Sequence, residues 1–400
     1  MKLNIGINTI YQIMSRAASA IVALINTRLI TTYLGAAGYG QYQIAAVYVS
    51  LFWILTDLGL DTLVVREISS DESKTQTYFS RLFTLRLLIG AVLTTIALGT
   101  MFFLPYPTHV KVAIVIGAAT ILFQSIMGAA VALFQAKLQY KYFFITYLIG
   151  SLILLLGIFT TLQFTSSIIW LIGIYTLNVF GMMVTSLYFA KKWVRLQFSR
   201  VAGEVKQLFI RTIPFGLIIL FDLGILKLDV LLLSVLPLES ASNDVVVGVY
   251  NVSYKIYELA TVVGLFFVNA LYPLMNKQFS QRLHRQFAKF GGAAVLLLVI
   301  IGVVGTVLLY ILAPLMISLL TDLGEFTPSI EVLRVLSIGL VPVFIATLGK
   351  FIMIIYDKQR QLVYVYLAGF LFNLVTNVWL IPRYTYFAAA TTTVFTQTIV

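Results

Sequence analysis

Stretches long enough and apolar enough to cross a bilayer recur from one end of the chain to the other. A helix needs about 20 mostly apolar residues to span the hydrocarbon core. On that criterion spans are expected near Asn8–Thr32, Tyr42–Val65, Phe79–Leu104, Val110–Phe134, Tyr142–Leu162 and Ile168–Ala190. A second series runs near Ile213–Leu236, Val247–Met275, Phe290–Leu320, Ile330–Tyr356, Leu362–Ile381 and Tyr386–Val400. Composition agrees: 60% of the 400 residues are hydrophobic and only 10% charged, whereas soluble domains carry about a quarter charged residues. The pattern predicts an all-α polytopic membrane protein of about 12 transmembrane helices. Residues 1–190 form one six-helix bundle, 191–211 a basic connector and 212–400 a second bundle. The first span follows Lys2 but is too long for a signal peptide and contains Arg16. The chain stops at Thr398-Ile399-Val400 inside an apolar run, which predicts a C-terminus truncated relative to the native chain.

Net charge of +12 would ordinarily raise nucleic acid as a partner. Its distribution between alternate loops says otherwise. One side receives Lys2, Arg66, Lys74, Arg81, Arg86, Lys137, Lys141, the cluster from Lys191 to Arg211, Lys277, Arg282, Arg285, Lys289, Lys358 and Arg360. The other receives Lys111 and Arg383, with Glu239, Asp244, Asp322 and Glu325 in its loops. The positive-inside rule then predicts a multi-pass protein of the cytoplasmic membrane with its N-terminus inside. The basic charge is an orientation signal with some attraction to anionic membrane lipids, and no nucleic-acid partner is needed. Trp170, Trp193 and Trp379 fall at span ends as interfacial anchors; Trp53 falls mid-span, where packing against a neighbouring helix is expected.

Enzymatic constellations are sparse. The chain has no cysteine, and His109 and His284 are too few and too far apart for a His-based metal site. Gly35-Ala36-Ala37-Gly38-Tyr39-Gly40 superficially matches a phosphate-cradling loop, but it follows no strand and lacks the Lys-Ser/Thr that such loops carry. A tight turn between helices is the expectation. The loops leave no room for a soluble catalytic domain, and no enzyme activity is expected.

Charges inside spans are more informative. Each costs roughly 2.5–3.5 kcal/mol at the bilayer centre on insertion scales, so each is expected to face a cavity or a partner. Asp222, Lys227 and Asp229 fall on the seventh helix, with the two aspartates seven apart and so on one face. Lys255 and Glu258 are three apart on the eighth. Lys227 or Lys255 is expected to pair with Asp229 or Glu258. Arg16 lies at a depth comparable to Asp57 and Asp61, and Arg28 sits alone near the outer end of the first helix. Cavity-facing cations, static interhelical bridges, and proton or sodium relays through the acids all remain open at this point. Arg334 and Lys350 lie near the ends of the tenth span, where snorkelling is expected. Pro342, mid-span, is a candidate hinge.

The halves echo each other weakly: Gly40-Gln41-Tyr42 opens helix two and Gly248-Val249-Tyr250 opens helix eight. Each half starts inside with six spans, so the two bundles run parallel, and such repeats place substrate sites near midplane. Tyr33-Leu34-Gly35 with Gly38-Tyr39-Gly40 and Tyr42 resembles the pattern of polysaccharide-biosynthesis flippases. So do Asp57-Leu58-Gly59-Leu60 followed by Arg66-Glu67, Leu228-Asp229-Val230, and Tyr254-Lys255-Ile256. One departure is Thr32, where relatives often carry a basic residue; Arg28 stands a turn earlier. The resemblance, to Wzx-type O-antigen flippases of the MATE-like (MOP) superfamily, covers essentially the whole chain.

That resemblance implies alternating-access translocation of an undecaprenyl-diphosphate-linked oligosaccharide for cell-surface polysaccharide, with polymerase and glycosyltransferases as associated proteins. Arg16, Arg28, Lys227 and Lys255 are then candidate ligands of the anionic headgroup. Asp57, Asp61, Asp222, Asp229 and Glu258 become counter-charges or sites for a coupling H+ or Na+; no other cofactor is expected. A cation-coupled MATE-type drug exporter is the alternative, followed by a lipid II flippase and an integral-membrane glycosyltransferase or polymerase. Cavity cations count against the exporter, and the absence of acids in the first outer loop counts against the transferase.

Overall fold

The structure, a computed structural model, describes residues 2–199, 202–239 and 242–400, with side chains described outside 2–10, 13 and 202–215. Among the described residues there is no strand. The helices are α1 (Lys2–Ile54), α2 (Leu60–Ser70), α3 (Thr75–Thr100), α4 (Thr108–Ala136), α5 (Tyr140–Phe164) and α6 (Ile168–Ala190). They continue as α7 (Ala202–Val235), α8 (Asn243–Ser280), α9 (His284–Leu320), α10 (Pro328–Ile338), α11 (Leu340–Ile355) and α12 (Gln359–Ile399). Among the described residues, eight helices are long and apolar enough to cross a membrane, and nine if α10 and α11 count as one bent span. The protein is an all-α, multi-pass membrane protein.

The breaks reconcile this count with the expected spans. Gly35 (φ 64°, ψ −170°) divides α1, and Thr385 (φ 51°, ψ −128°) divides α12, each at an expected boundary between two spans. With these two helices read as pairs and α7 as a span, the described helices account for the series expected. The second span is a correction: it is not one helix from Tyr42 to Val65. The backbone unwinds between Ile54 and Leu60, with Leu58 at φ 43° and Gly59 at φ 80°. The tenth span is also broken, bending by 41° between α10 and α11 around Gly339. Pro342 sits in the first turn of α11, where its missing N–H leaves the Ile338 carbonyl without its usual partner.

The chain divides into two compact units, one of residues 1–34 and 41–220, the other of Gly35–Gly40 and Phe221–Val400. In the first, α4 packs against α3 and α6, and α5 against α6. Alanines 113, 118, 129, 130 and 132 are buried along α4, small enough for neighbours to approach closely. In the second, α8 packs against α9, α10 and α11, while the most apolar helix, α9, exposes Leu296, Val304, Ile311 and Leu319 as a lipid-facing surface should. Hydroxyls along the spans bond back to carbonyls one turn earlier, as Thr31 does to Thr27 and Thr94 to Gly90.

Candidate functional site

The second unit gathers most of the charges expected to matter. A cavity of ≈ 290 Å³ is lined by Asp222, Tyr254, Tyr257, Glu258, Lys350 and Tyr366, among others. α7 supplies Asp222, and α8 supplies Tyr254, Tyr257 and Glu258 at helical spacings that put them on one face. Lys227 Nζ lies 3.2 Å from Glu258 Oε1, and Lys255 Nζ lies 3.8 Å from Glu258 Oε2. The two lysines thus share one carboxylate. Lys227 also sits 5.4 Å from the Tyr254 ring centre, a cation–π distance. Both lysines reach the cavity wall through Glu258 rather than lining it themselves.

Of the two acids expected to pair with these lysines, Glu258 takes both. Asp229 pairs with neither lysine. It is wholly buried and is held by neutral donors: Tyr250 Oη at 2.8 Å, Thr393 Oγ1 at 2.5 Å and Asn377 Nδ2 at 2.7 Å. Beside it, the buried Asn377 Oδ1 has no hydrogen-bond partner among the described residues. Lys350 does not snorkel. Its Nζ binds Asp222 Oδ2 at 2.8 Å in the cavity and lies 5.2 Å from the Tyr366 ring, because an opposite charge stands within hydrogen-bond reach. Arg334 pairs with Glu331 one turn earlier on an exposed face.

Electrostatically, the lysines lining the cavity or bonded to its wall are Lys227, Lys255 and Lys350, against the carboxylates of Asp222 and Glu258. Asp229 connects to it through stacked Tyr250 and Tyr254, whose ring centres are 5.6 Å apart. With Asp229 ionised the cluster is balanced; with a proton or cation at Asp229 it carries one excess positive charge.

The first unit holds a second polar group. Arg86 Nη2 contacts Asp57 Oδ1 at 2.6 Å and Asp61 Oδ1 at 2.5 Å. Arg86 is another correction: counted above among loop charges, it is buried inside α3. Sequence reasoning missed it because it lies five residues from Arg81 at the entry of a span. Arg16, expected beside these aspartates, is exposed on α1 and close enough to Tyr147 to interact electrostatically with it. Arg28 is half-buried on α1, seven residues before the Gly35 break. Of the connector's cations, Arg200 and the side chains of Lys206 and Arg211 lie outside the described residues. No group of three or more acids and histidines that could hold a metal ion occurs among the described residues.

Residues 5–279 match the family model described as polysaccharide biosynthesis protein. The chain belongs to that family. Residues 230–379 also match the MatE model, over the part that carries Lys255, Glu258 and Lys350. A comparison with curated proteins returns no match. Among solved structures, an inward-facing multidrug resistance MATE transporter of the MOP superfamily is similar, with a TM-score of 0.77 and 13% identity over 95% of this chain and 91% of that one. The lipid II flippase MurJ, in an inward closed conformation, is similar at a TM-score of 0.78 and 12% identity, over 98% of this chain and 85% of that one. A MOP superfamily transporter from Pyrococcus furiosus gives 0.69 and 14% over 98% and 91%. The fold is that of MOP transporters and flippases.

Proposed function

We propose that the protein is a flippase that carries a lipid-diphosphate-linked oligosaccharide from the cytoplasmic to the outer leaflet of the cytoplasmic membrane, for cell-surface polysaccharide. Polymerase and glycosyltransferases would act on the product and supply the substrate. The lysine count in the second unit carries this reading. Lys227 and Lys255 share Glu258, and Lys350 takes Asp222, so the acids are occupied and a cationic group remains available. A transporter of cationic drugs needs unoccupied acids at its cavity wall; an anionic headgroup needs the opposite. Arg16 and Arg28 join these lysines as candidate headgroup ligands. The loop charge bias supports an N-terminus on the cytoplasmic side.

Asp229 is the proposed coupling site for H+ or Na+. A buried carboxylate with only neutral donors, beside an unpartnered amide oxygen, offers oxygen ligands and one negative charge to a small cation. Asp57, Asp61, Asp222 and Glu258 act as counter-charges, and the bend around Gly339 and Pro342 as a hinge.

The test is deletion of the gene followed by lipid analysis of each leaflet. Accumulation of lipid-linked oligosaccharide on the cytoplasmic leaflet supports flipping, and unpolymerised units on the outer leaflet would overturn it in favour of a polymerase. In the complementing protein, Lys255→Ala should impair flipping at near-normal abundance, while Lys255→Arg retains part of it, as charge persists with altered donor geometry.

A further inference from the structure

The unwound stretch between α1 and α2 borders a pocket of its own, of ≈ 160 Å³, inside the first unit. Unwound backbone at membrane depth persists where it is buried in protein or lines a cavity, and discontinuous helices point to binding sites. Trp53, Asp57, Asp61, Arg86, Gln124 and Tyr147 stand in the wall.

Each carboxylate gives one oxygen, Oδ1, to Arg86, whose own side chain is only 3% exposed. The aspartate side chains stay 35% and 25% exposed, with their second oxygens carrying no hydrogen bond to a described residue. The guanidinium is therefore backing, and the acids are the presented surface. Gln124, hydrogen-bonded to Tyr175, adds an amide that both donates and accepts. Trp53 is the tryptophan with no place in an interfacial belt, and its indole N–H has no hydrogen-bond partner among the described residues.

The combination selects a chemistry. A bare ion needs neither an aromatic wall nor this volume. An acyl chain would leave the carboxylates unsolvated. A pyranose ring meets every feature: C–H faces for Trp53 and Tyr147, hydroxyls that donate to Asp57 and Asp61, and a hydroxyl oxygen that accepts from the Gln124 amide. We propose that this pocket is a carbohydrate subsite that takes one pyranose ring of the transported headgroup. It rests on the flippase reading, which supplies the saccharide.

Converting Trp170, Trp193 and Trp379 to Phe leaves Trp53 as the sole tryptophan. The purified full-length variant is titrated with N-acetylglucosamine, galactose and rhamnose, with the acyclic polyol sorbitol and NaCl as controls. A saturable change in Trp53 emission with at least one pyranose and none with the controls is expected. Gln124→Ala should weaken it about tenfold, the equilibrium effect of one lost hydrogen bond. The responding sugar should also raise the melting temperature of the unsubstituted protein, a readout independent of how the variants fold. No response to any of the three sugars, an equal response to sorbitol, or a response to NaCl alone overturns the subsite. Absence of sugar binding together with cytoplasmic-leaflet accumulation on gene deletion overturns the subsite and spares the flippase reading. Sugar binding with undisturbed lipid distribution on deletion does the reverse.

Discussion

The Glu325 carboxylate accepts a hydrogen bond from the Ala36 N–H at 2.9 Å, at the point where Gly35 breaks α1. The helix resumes at Ala36 with N–H groups that have no partner one turn back, and a carboxylate is the natural cap for such an end. Gly35 occupies backbone space open essentially to glycine alone, and a Cβ there would stand 3.1 Å from Glu325 Oε2. Gly35→Ala should cost about 1–3 kcal/mol, and Glu325→Ala about 1.5–3 kcal/mol as a charge-assisted bond is lost. Because both act on one cap, the double variant should lose less than the sum. Melting temperatures of the four purified proteins check this; strictly additive losses would contradict it.

Gly40 and Gly248 interlock in the same unit. A Cβ on Gly40 would stand 1.7 Å from the Asp244 carbonyl oxygen, and one on Gly248 would stand 2.1 Å from that of Ala36. Two backbones cross here at a distance only small residues permit. Gly40→Ala or Gly248→Ala should therefore sharply reduce folded protein or transport. Gly99→Ala and Gly292→Ala, whose new methyls meet nothing within 4 Å, should be neutral. Folded yield by size-exclusion fluorescence separates the two classes, and equal behaviour would show that the crossing does not constrain the protein.

The repeated motif around Gly40 and Gly248 was legible in the sequence as an echo, but not that the two copies touch. Hydropathy found the spans because every backbone in hydrocarbon must satisfy its own hydrogen bonds, which leaves helix as the answer. It missed the unwinding at Asp57-Leu58-Gly59 because apolar flanks hide a break that serves a pocket. Pairing was harder still. Lys255 and Glu258 announce themselves by spacing, whereas Lys350 and Asp222 are 128 positions apart and meet only through helix packing. Arg86 was misplaced for a related reason: a cation about two helical turns inside a span reads as loop charge until the acids opposite it are known.

Arg86 yields a sharp expectation. Removing the cation leaves two partly exposed carboxylates facing each other without compensation, whereas removing all three charges leaves none. Arg86→Leu should destabilise by about 1–3 kcal/mol. Adding Asp57→Asn and Asp61→Asn should restore much of the folded protein. Thermal melting in detergent decides it, and failure of the triple variant to recover would assign the loss to packing around Gly128, where the guanidinium lies close.

The Lys350–Asp222 pair invites a charge exchange. At 2.8 Å, with about a third of each side chain exposed to the cavity, it keeps Asp222 from binding a cationic solute. Asp222→Lys or Lys350→Asp alone should lower folded protein, and the exchanged pair should recover it. Recovery of transport as well would mean that the pair serves only as a bridge. Recovery of abundance without transport would assign Lys350 to the headgroup.

Asp229 should link cation and anion binding. In the ionised state its charge balances the excess lysine at the neighbouring cavity; a proton or Na+ on it cancels that charge, so an anionic ligand should bind tighter when the cation is present. Linkage is reciprocal and in comparable systems amounts to about 5–150-fold. Titrating a short-chain prenyl diphosphate against the purified protein at rising Na+ or falling pH should therefore show increasing affinity. Asp229→Asn preserves shape and the Tyr250 and Thr393 contacts while removing the charge permanently. Its diphosphate affinity should be high and insensitive to Na+ and pH. Cation dependence that survives in Asp229→Asn would locate the coupling ion at another carboxylate, with Asp57 and Asp61 the next to substitute.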